Sequence, residues 1–258
     1  MHITPVKTNK ITAKDNDLTK IFDRYLLNKI EERSILAITS KIVSICEGKV
    51  IKIGTETKEN VVNQEAECYL PSQQSRYGLI LAIKHNLLLP NAGIDESNGN
   101  GYYILYPSNP QRTVNGIRQY LMKRFSLKKM GVLITDSKTT PLRWGTTGVA
   151  LAHSGFDAIN NYIGSLDLFG RPFQMTKANV LDGLAAAAVL VMGEGREQTP
   201  MAVISDVPFV KFKTENPPQK ELKEFHVAIR DDLYAPLLTA VDWKVGKGGS
   251  EKALSSIR

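Results

Sequence analysis

The sequence of 258 residues is poor in cysteine and has no long apolar run. Its two cysteines, Cys46 and Cys68, are isolated, which argues against a disulfide framework and a multi-cysteine zinc site. No apolar stretch approaches the roughly 18 residues that cross a bilayer. The first residues also lack the apolar segment of a secretory signal. These absences predict a cytoplasmic protein without a membrane span.

Several catalytic signatures are missing as well. The four histidines form no pair at metal-ligand spacing, and no serine stands in a Gly-x-Ser-x-Gly elbow. Residues 246–250, expected to form a flexible loop, lack the spacing of a Walker phosphate loop. The net charge of +7 comes from lysines and arginines spread along the chain. Because no aromatic and basic stripe accompanies this charge, a nucleic-acid-binding protein is the least favoured reading.

Apolar periodicity indicates a chain of mixed helices and strands. The predicted helices cover 18–30, 113–125 and 181–192, and the predicted strands cover 35–38, 101–106, 131–135, 201–204 and, more weakly, 225–229. The segments 65–70 and 77–86 fit no single pattern and stay unassigned. The helix over 181–192 is nearly all apolar, which predicts a buried helix, and its alanines permit close packing against another element.

Three carboxylates stand in breaks rich in glycine or hydroxyl groups. Asp95, with Glu96 beside it, lies in the segment 91–98; Asp136 is expected at the end of the strand 131–135; and Glu194 stands between Gly193 and Gly195. Carboxylate oxygens suit Mg²⁺ or Mn²⁺, and three carboxylates could serve two ions that bridge phosphates. Each acid alone is more often a cap or turn residue, and spacing does not show that the three meet.

Two further segments carry groups that bind anions. Thr39, Ser40 and Lys41 directly follow the strand 35–38, where they either bind phosphate or begin a helix capped by a hydroxyl. Arg143 lies in the small-residue segment 141–148, where it neutralises an anion or forms a surface salt bridge. Both alternatives stay open at each segment.

Several motifs occur together in one order. They are TSKIVS (39–44), EGK (47–49), AGIDESN (92–98), ITDS (134–137), RWGTTGVAL (143–151), DLFGRP (167–172) and AAAAVLVMGE (185–194). Over about residues 1–210 this order resembles the γ-glutamyl ligases that elongate the deazaflavin coenzyme F-420. The resemblance implies an α+β fold of two subdomains in an intertwined homodimer, with 211–258 as a C-terminal extension that completes the fold.

The resemblance also implies site residues. Metal ligands would be Asp95, Asp136, Ser137 (where a threonine is usual) and Glu194, and the catalytic residues would be Asp95, Asp136 and Lys41. Contacts to GTP, with ATP as the alternative, would come from Ser40, Lys41, Asn98, Gly193, Gly195, Arg196, Glu197, Gln198, Thr199 and, more loosely, Asn9, Lys10, Ile11 and Thr12. Glu96 has no role in the motif and is expected to be peripheral.

The implied reaction joins L-glutamate to the carboxylate of a folate-like or deazaflavin-like acceptor through an acyl phosphate. Some residues depart from the family pattern: Ile45 and Cys46 stand where a second lysine is usual, and Gly183 and Val189 where acidic residues are common. These departures resemble a bacterial branch assigned to folate metabolism. They also motivate an alternative, a non-catalytic nucleotide-binding or regulatory homologue.

Overall fold

The structure, a computed structural model, describes residues 1–249. This part of the chain mixes strands and α-helices, which confirms the predicted α+β class. The strands are β1 His2–Val6, β2 Ile35–Thr39, β3 Val50–Lys52, β4 Cys68–Tyr69, β5 Leu81–Lys84, β6 Leu87–Pro90, β7 Tyr102–Ile104, β8 Gly131–Thr139, β9 Thr146–Ser154, β10 Ile159–Asn161, β11 Lys177–Asn179, β12 Met201–Ser205 and β13 Lys244–Val245. The helices are α1 Leu18–Tyr25, α2 Ser40–Cys46, α3 Lys58–Glu65, α4 Pro110–Arg124, α5 Val180–Met192, α6 Gln219–Phe225 and α7 Ala235–Leu238.

A five-stranded sheet in the order β1-β12-β2-β8-β9 forms the centre of the fold. The pair β2 and β8 is parallel, with Ile35 opposite Gly131 and Thr39 opposite Thr135, and the other pairs are antiparallel. The parallel pairing brings the carboxyl ends of β2 and β8 to the same edge of the sheet. Thr39 and Asp136 are therefore neighbours in space.

Both faces of the sheet are covered, because its central strand β2 is apolar and buried at every position from Ile35 to Ile38. Leu36 and Ile38 face α1, α2 and α4 in one core, whereas Ile35 and Ala37 face α5 in another. This division follows from the two-residue period of side chains along a strand.

Helix α5 lies very close to β9. A Cβ atom at Gly148 would come within 2.4 Å of the carbonyl oxygen of Ala185, so only glycine permits this approach. The predicted close packing of the alanine-rich helix is confirmed, and its predicted burial is confirmed only for the face that meets the sheet. Leu190 is 82% exposed, because only one face of α5 meets the sheet.

A second, four-stranded sheet has the order β13-β4-β5-β6. Its outer strand comes from the C-terminal part of the chain: β13 pairs with β4, and Trp243 packs into the cluster formed by Cys68 and Ile83. The glycines after β13 are held in place, since the N–H groups of Gly246 and Gly248 donate to the carbonyls of Glu67 and Ala66 at 3.0 and 3.1 Å. The expected flexible loop over 246–250 is therefore a packed turn up to residue 249.

Other boundaries also differ from the predicted ones. Helix α1 ends at Tyr25 instead of residue 30, and the strand expected over 101–106 covers only Tyr102–Ile104. The prediction of a strand over 225–229 is wrong, because Phe225 is the last residue of α6. The unassigned segments contain β4 and β5. Residues 250–258 of the predicted C-terminal extension lie outside the described part.

No helix within residues 1–249 combines the length and apolar character needed to cross a membrane.

One buried cation ties the C-terminal part to the central core. Arg118 of α4 is 2% exposed, and its guanidinium donates to the carbonyls of Met130, Lys213 and Thr214 and to Oδ1 of Asn216 at 2.8–3.2 Å. The segment after β12 is thus fastened to α4 by hydrogen bonds to a single side chain.

Replacing Arg118 by methionine is expected to lower the free energy of unfolding by about 3–5 kcal/mol, because four acceptors lose a charged donor. Urea unfolding monitored by fluorescence measures this change. The matched control is Arg112→Met on the exposed face of the same helix, which we expect to change stability by less than about 0.5 kcal/mol. Equal losses in the two variants would contradict the role assigned to Arg118.

Candidate active site

A cavity of about 490 Å³ opens at the carboxyl ends of β2 and β8. All the predicted metal ligands and nearly all the predicted nucleotide contacts line it. They are Asn9, Lys10, Ile11, Thr12, Lys41, Asp95, Asn98, Asp136, Ser137, Gly193, Glu194, Gly195, Arg196, Glu197, Gln198 and Thr199. Segments that are far apart in sequence therefore meet at one edge of the central sheet.

Lys41 is held at the cavity by the first turn of α2. Thr39 caps this helix by accepting a hydrogen bond from the backbone N–H of Lys41, so a helix start and a charged cavity wall coincide here. The Lys41 Nζ lies 2.7 Å from Asp95 Oδ2 and donates to the Ser97 carbonyl at 3.0 Å. The ammonium and the carboxylate thus form an ion pair between two segments of the cavity wall.

Asp95 is fixed both by its backbone and by its side chain. Its N–H donates to the carbonyl of Ile104 at 3.0 Å, and the N–H of Ile104 donates back at 2.7 Å. Its carboxylate accepts hydrogen bonds from the N–H and the hydroxyl of Ser97 at 2.7 and 3.0 Å. Burial raises the pKa of this carboxyl, but the hydrogen bonds and charge of Lys41, with Ser97, outweigh it and leave the pKa lowered.

Asp136 has the opposite shift. Burial, with a smaller contribution from the charge of Asp95, raises its pKa from 3.8 to about 6, although hydrogen bonds from the Tyr106 hydroxyl and the Ser137 backbone favour the charged form. The negative charges of the two carboxylates therefore repel each other in this cavity. The charge of Asp95 is well compensated by its partners, whereas the charge of Asp136 is poorly compensated. A cation placed near Asp136 would relieve this imbalance.

The loop after α5 forms the opposite wall. Gly193, with φ of +78°, ends the helix, and the following residues turn back toward the N-terminal segment. The Asn98 amide donates to the Gly195 carbonyl at 2.9 Å, and the Ser137 hydroxyl donates to Glu194 Oε2 at 3.2 Å. These two bonds connect the loop to the segments that carry Asp95 and Asp136.

The acids share the cavity without forming one tight cluster. Within residues 1–249, no three His, Cys, Asp or Glu side chains lie close enough together to hold an ion. Magnesium normally takes only one or two carboxylates and completes its shell with waters and substrate phosphates. Asp95, Asp136, Ser137 and Glu194 each bring an oxygen donor to the lining of the cavity, and a set of this size meets that requirement without a tight protein cluster.

Three residues considered from the sequence lie elsewhere. Ser40 is buried in the first turn of α2, and Thr39 instead lines the cavity. Arg143 is exposed in the turn between β8 and β9, away from the cavity lining. Glu96 is exposed and lies 3.5 Å from Lys58 Nζ, which agrees with the expected peripheral position.

Sequence reasoning also missed parts of the wall. The strand β8 continues through Asp136 and Ser137 to Thr139, so these residues belong to a strand and not to a loop after it. Thr8 and Asn100 line the cavity without any motif that marks them. Their nearness follows from the sheet order, which local patterns do not contain.

Carboxylates, a lysine and a polar loop in one cavity are the groups that bind a phosphorylated nucleotide together with a hard cation. Comparison with known proteins identifies the family of the chain. The family model described as F420-0:Gamma-glutamyl ligase matches residues 5–206.

Individual relatives agree with the family model. The coenzyme F420:L-glutamate ligase of Methanococcus maripaludis is 32% identical over 216 residues, which are 76% of this chain and 83% of the relative. Those of Methanopyrus kandleri and Methanocaldococcus jannaschii are 31% and 33% identical, and the matches cover 79% and 70% of this chain and 86% and 79% of the relatives. The chain therefore belongs to the F420-0:γ-glutamyl ligase family and is an amide-forming ligase, which confirms the resemblance in its motifs.

Proposed function

We propose that this protein is a GTP- and metal-dependent ligase that joins L-glutamate to the carboxylate of a deazaflavin-like or folate-like acceptor. The observation that carries the proposal is that Lys41, Asp95 and Asp136 line the same cavity as the loop 193–199, which contains Glu194. Family membership supplies the reaction class.

The nucleotide is assigned to the walls made by 9–12 and 193–199. A volume of about 490 Å³ lies within the range of ligand pockets, roughly 300–1,000 Å³. Lys41 supplies a positive charge at the phosphate end, and the Asn98–Gly195 hydrogen bond keeps the loop against the rest of the wall. ATP is the alternative nucleotide, and an assay with each nucleotide distinguishes the two.

Mg²⁺ or Mn²⁺ would be held by Asp95, Asp136, Ser137 and Glu194, the oxygen donors of the cavity. When bound, such an ion supplies charge neutralisation at the phosphate oxygens. The chain itself contributes hydrogen bonds that orient two of these donors, since Asp95 is held by Ile104 and Ser97, and Glu194 accepts a hydrogen bond from Ser137 at 3.2 Å.

The proposed chemistry has two steps. An oxygen of the acceptor carboxylate attacks the γ-phosphorus of GTP, and the bond from this phosphorus to the β-phosphate oxygen breaks. GDP departs, and the acceptor carboxylate has become an acyl phosphate. The neutral amine of L-glutamate then attacks the acyl carbon, phosphate leaves, and the nitrogen releases a proton as the amide forms. Lys41 stabilises charge on the transferred phosphoryl group, a role that electrostatic preorganisation makes effective.

Two observations support the proposed acceptor classes. The relatives' names include coenzyme F420 and L-glutamate, which supports a deazaflavin-like acceptor. Ile45 and Val189 both line the cavity here, and their resemblance to the branch assigned to folate metabolism supports a folate-like acceptor.

The direct test incubates the full chain with L-glutamate, GTP or ATP, Mg²⁺ or Mn²⁺, and a panel of deazaflavin and folate acceptors. Mass spectrometry is expected to show products heavier by one or more glutamyl units, with release of one phosphate per bond formed. Absence of both product and acceptor-dependent phosphate release across the panel would refute the proposed activity.

A second candidate is a nucleotide-binding homologue without turnover. The observation that favours it is Ile45, an apolar residue in the cavity lining where the family pattern has a lysine. Calorimetry with GTP and Mn²⁺ separates the candidates, because binding without acceptor-dependent phosphate release supports this one and any glutamyl transfer excludes it.

The proposal includes a homodimer. Large apolar side chains protrude from the segments that join β8 to β9 and β10 to β11: Leu142, Trp144, Leu168, Phe169 and Met175 are each at least 86% exposed. Large exposed apolar residues concentrated in two connecting segments are typical of an interaction surface.

Replacing Leu168 and Phe169 together by aspartate is expected to shift the protein from dimer to monomer, because charged groups would be buried at the interface. Light scattering after size exclusion measures the mass. Leu233→Asp is the control, since Leu233 is 87% exposed but lies in the C-terminal part of the chain. A monomeric unmodified protein, or a double variant that stays dimeric, would contradict the assignment of this interface.

A further inference from the structure

We propose that Tyr106 is a positioning residue that holds Asp136 for the cation of the proposed ligase. Its hydroxyl donates a hydrogen bond to Asp136 Oδ2. One lone pair of the carboxylate is thereby occupied from the protein interior, and its remaining acceptor capacity is left to the cavity that Asp136 lines. This inference rests on the proposed function and names a residue that none of the motifs marks.

The ring of Tyr106 has little freedom. Tyr106 is 3% exposed, and a Cβ atom at Gly93 would lie 2.1 Å from its Cζ atom. Gly93 is therefore required for the ring to fit. On another side the imidazole of His85 stacks on the ring, with centroids 6.0 Å apart and planes inclined by 21°. These contacts determine where the hydroxyl lies.

Tyr106 also belongs to a segment that positions the other acid. The backbone of Ile104 exchanges two hydrogen bonds with that of Asp95, and two residues later Tyr106 reaches Asp136 with its side chain. The short segment 104–106 therefore sets the separation between two carboxylates that come from distant parts of the sequence. A displacement of this segment would move both acids.

The hydrogen bond has a specific effect on a buried carboxylate. A hydroxyl donor stabilises the ionised form and fixes the plane of the carboxylate, and such bonds to charged groups are among the stronger ones in proteins. Residues that orient metal ligands in this way typically change metal affinity by about 10–100-fold when they are replaced. Phenylalanine at position 106 would keep the ring contacts and remove only the donor.

The test compares Mn²⁺ binding by the unmodified protein, Tyr106→Phe, Tyr103→Phe and Asp136→Asn. Tyr103 is the matched control because it is also a buried tyrosine, in β7. Electron paramagnetic resonance of free Mn²⁺ measures affinity without any turnover, and thermal melting checks that each variant is folded. We expect the dissociation constant for Mn²⁺ to rise about tenfold in Tyr106→Phe, at least as much in Asp136→Asn, and not at all in Tyr103→Phe.

A second readout separates positioning from a general loss of structure. Saturating Mn²⁺ is expected to restore most of the kcat of Tyr106→Phe, so the change appears in the Mn²⁺ activation constant. Unchanged affinity in Tyr106→Phe with weakened binding in Asp136→Asn would overturn the inference and leave the proposed metal site standing. Absence of Mn²⁺ binding to the unmodified protein, with and without GTP, would instead remove the metal-dependent function itself.

Discussion

Replacing Asp136 by asparagine is expected to lower the rate of glutamyl transfer by at least about 100-fold, since the proposed cation loses a charged ligand worth several kcal/mol to the transition state. Asparagine keeps the size of the side chain and an oxygen that accepts the hydrogen bond from Tyr106. Phosphate release that depends on both acceptor and L-glutamate measures the rate. A variant with unchanged activity would show that Asp136 is not a metal ligand.

The same variant is expected to be more stable than the unmodified protein when no divalent cation is present. Because burial raises the folded-state pKa of Asp136 to about 6, the folded protein binds more protons than the unfolded chain between about pH 4 and pH 6. The stability that this group contributes is therefore present at low pH and lost as the pH rises through about 6. Asparagine carries no charge and escapes this loss.

Urea unfolding measures the prediction at two pH values. At about pH 7.5 the free energy of unfolding of Asp136→Asn should exceed that of the unmodified protein by about 1–3 kcal/mol, and the gap should shrink at about pH 5. Asp23→Asn is the control with the opposite sign, because hydrogen bonds from Tyr120 and Arg124 lower the pKa of Asp23 and the charged form is favoured there. A destabilised Asp136→Asn at about pH 7.5 would contradict the assigned cost of its buried charge.

Asp95→Ala is expected to abolish metal-dependent activity, with a loss of at least about 100-fold, and to leave the fold intact. The side chain of Asp95 is 43% exposed, so its removal should change the free energy of unfolding by less than about 1 kcal/mol. Its backbone hydrogen bonds to Ile104 remain in the variant. Lys41 loses its partner carboxylate, however, and the cavity loses one of its metal-binding oxygens.

The adjacent acid provides the control for this experiment. Glu96 pairs with Lys58 on the surface, and Glu96→Ala is expected to retain activity within about twofold because an exposed ion pair contributes little. Both variants are assayed for phosphate release with a matched titration of Mn²⁺. Equal activity in Asp95→Ala and Glu96→Ala would remove Asp95 from the proposed site.

The sequence predicted well those elements whose local pattern of apolar residues matches a buried face. Periodicity predicted three of them: the strand at Ile35, the helix after Thr113 and the apolar helix from Leu181. In each element the apolar side chains recur at the spacing that places them against a core. A helix capped by the hydroxyl of Thr39 was one of two interpretations of this segment. In the structure Thr39 caps α2 and Lys41 also lines the cavity.

Elements that depend on distant partners were not predictable in the same way. Strand β8 continues through Asp136 and Ser137 because these polar residues pair with Val149 and Gly148 of β9, a pairing without a local signal. The short strands β4 and β5 depend on each other and on β13. Most of the candidate site came from ordered motifs that resemble a known family, whereas Tyr106 carries no mark that distinguishes it from an ordinary strand aromatic.

The pairing of β13 with β4 has a consequence for synthesis of the chain on the ribosome. Lys244 lies opposite Tyr69, so the second sheet joins residues separated by most of the polypeptide. Until residues 244–245 have emerged from the ribosome, β4 is an unpaired sheet edge, the kind of surface that adds strands from other molecules. Completion of this sheet must therefore wait until Lys244 and Val245 have been synthesised, and a nascent chain halted before Lys244 presents an edge open to aggregation.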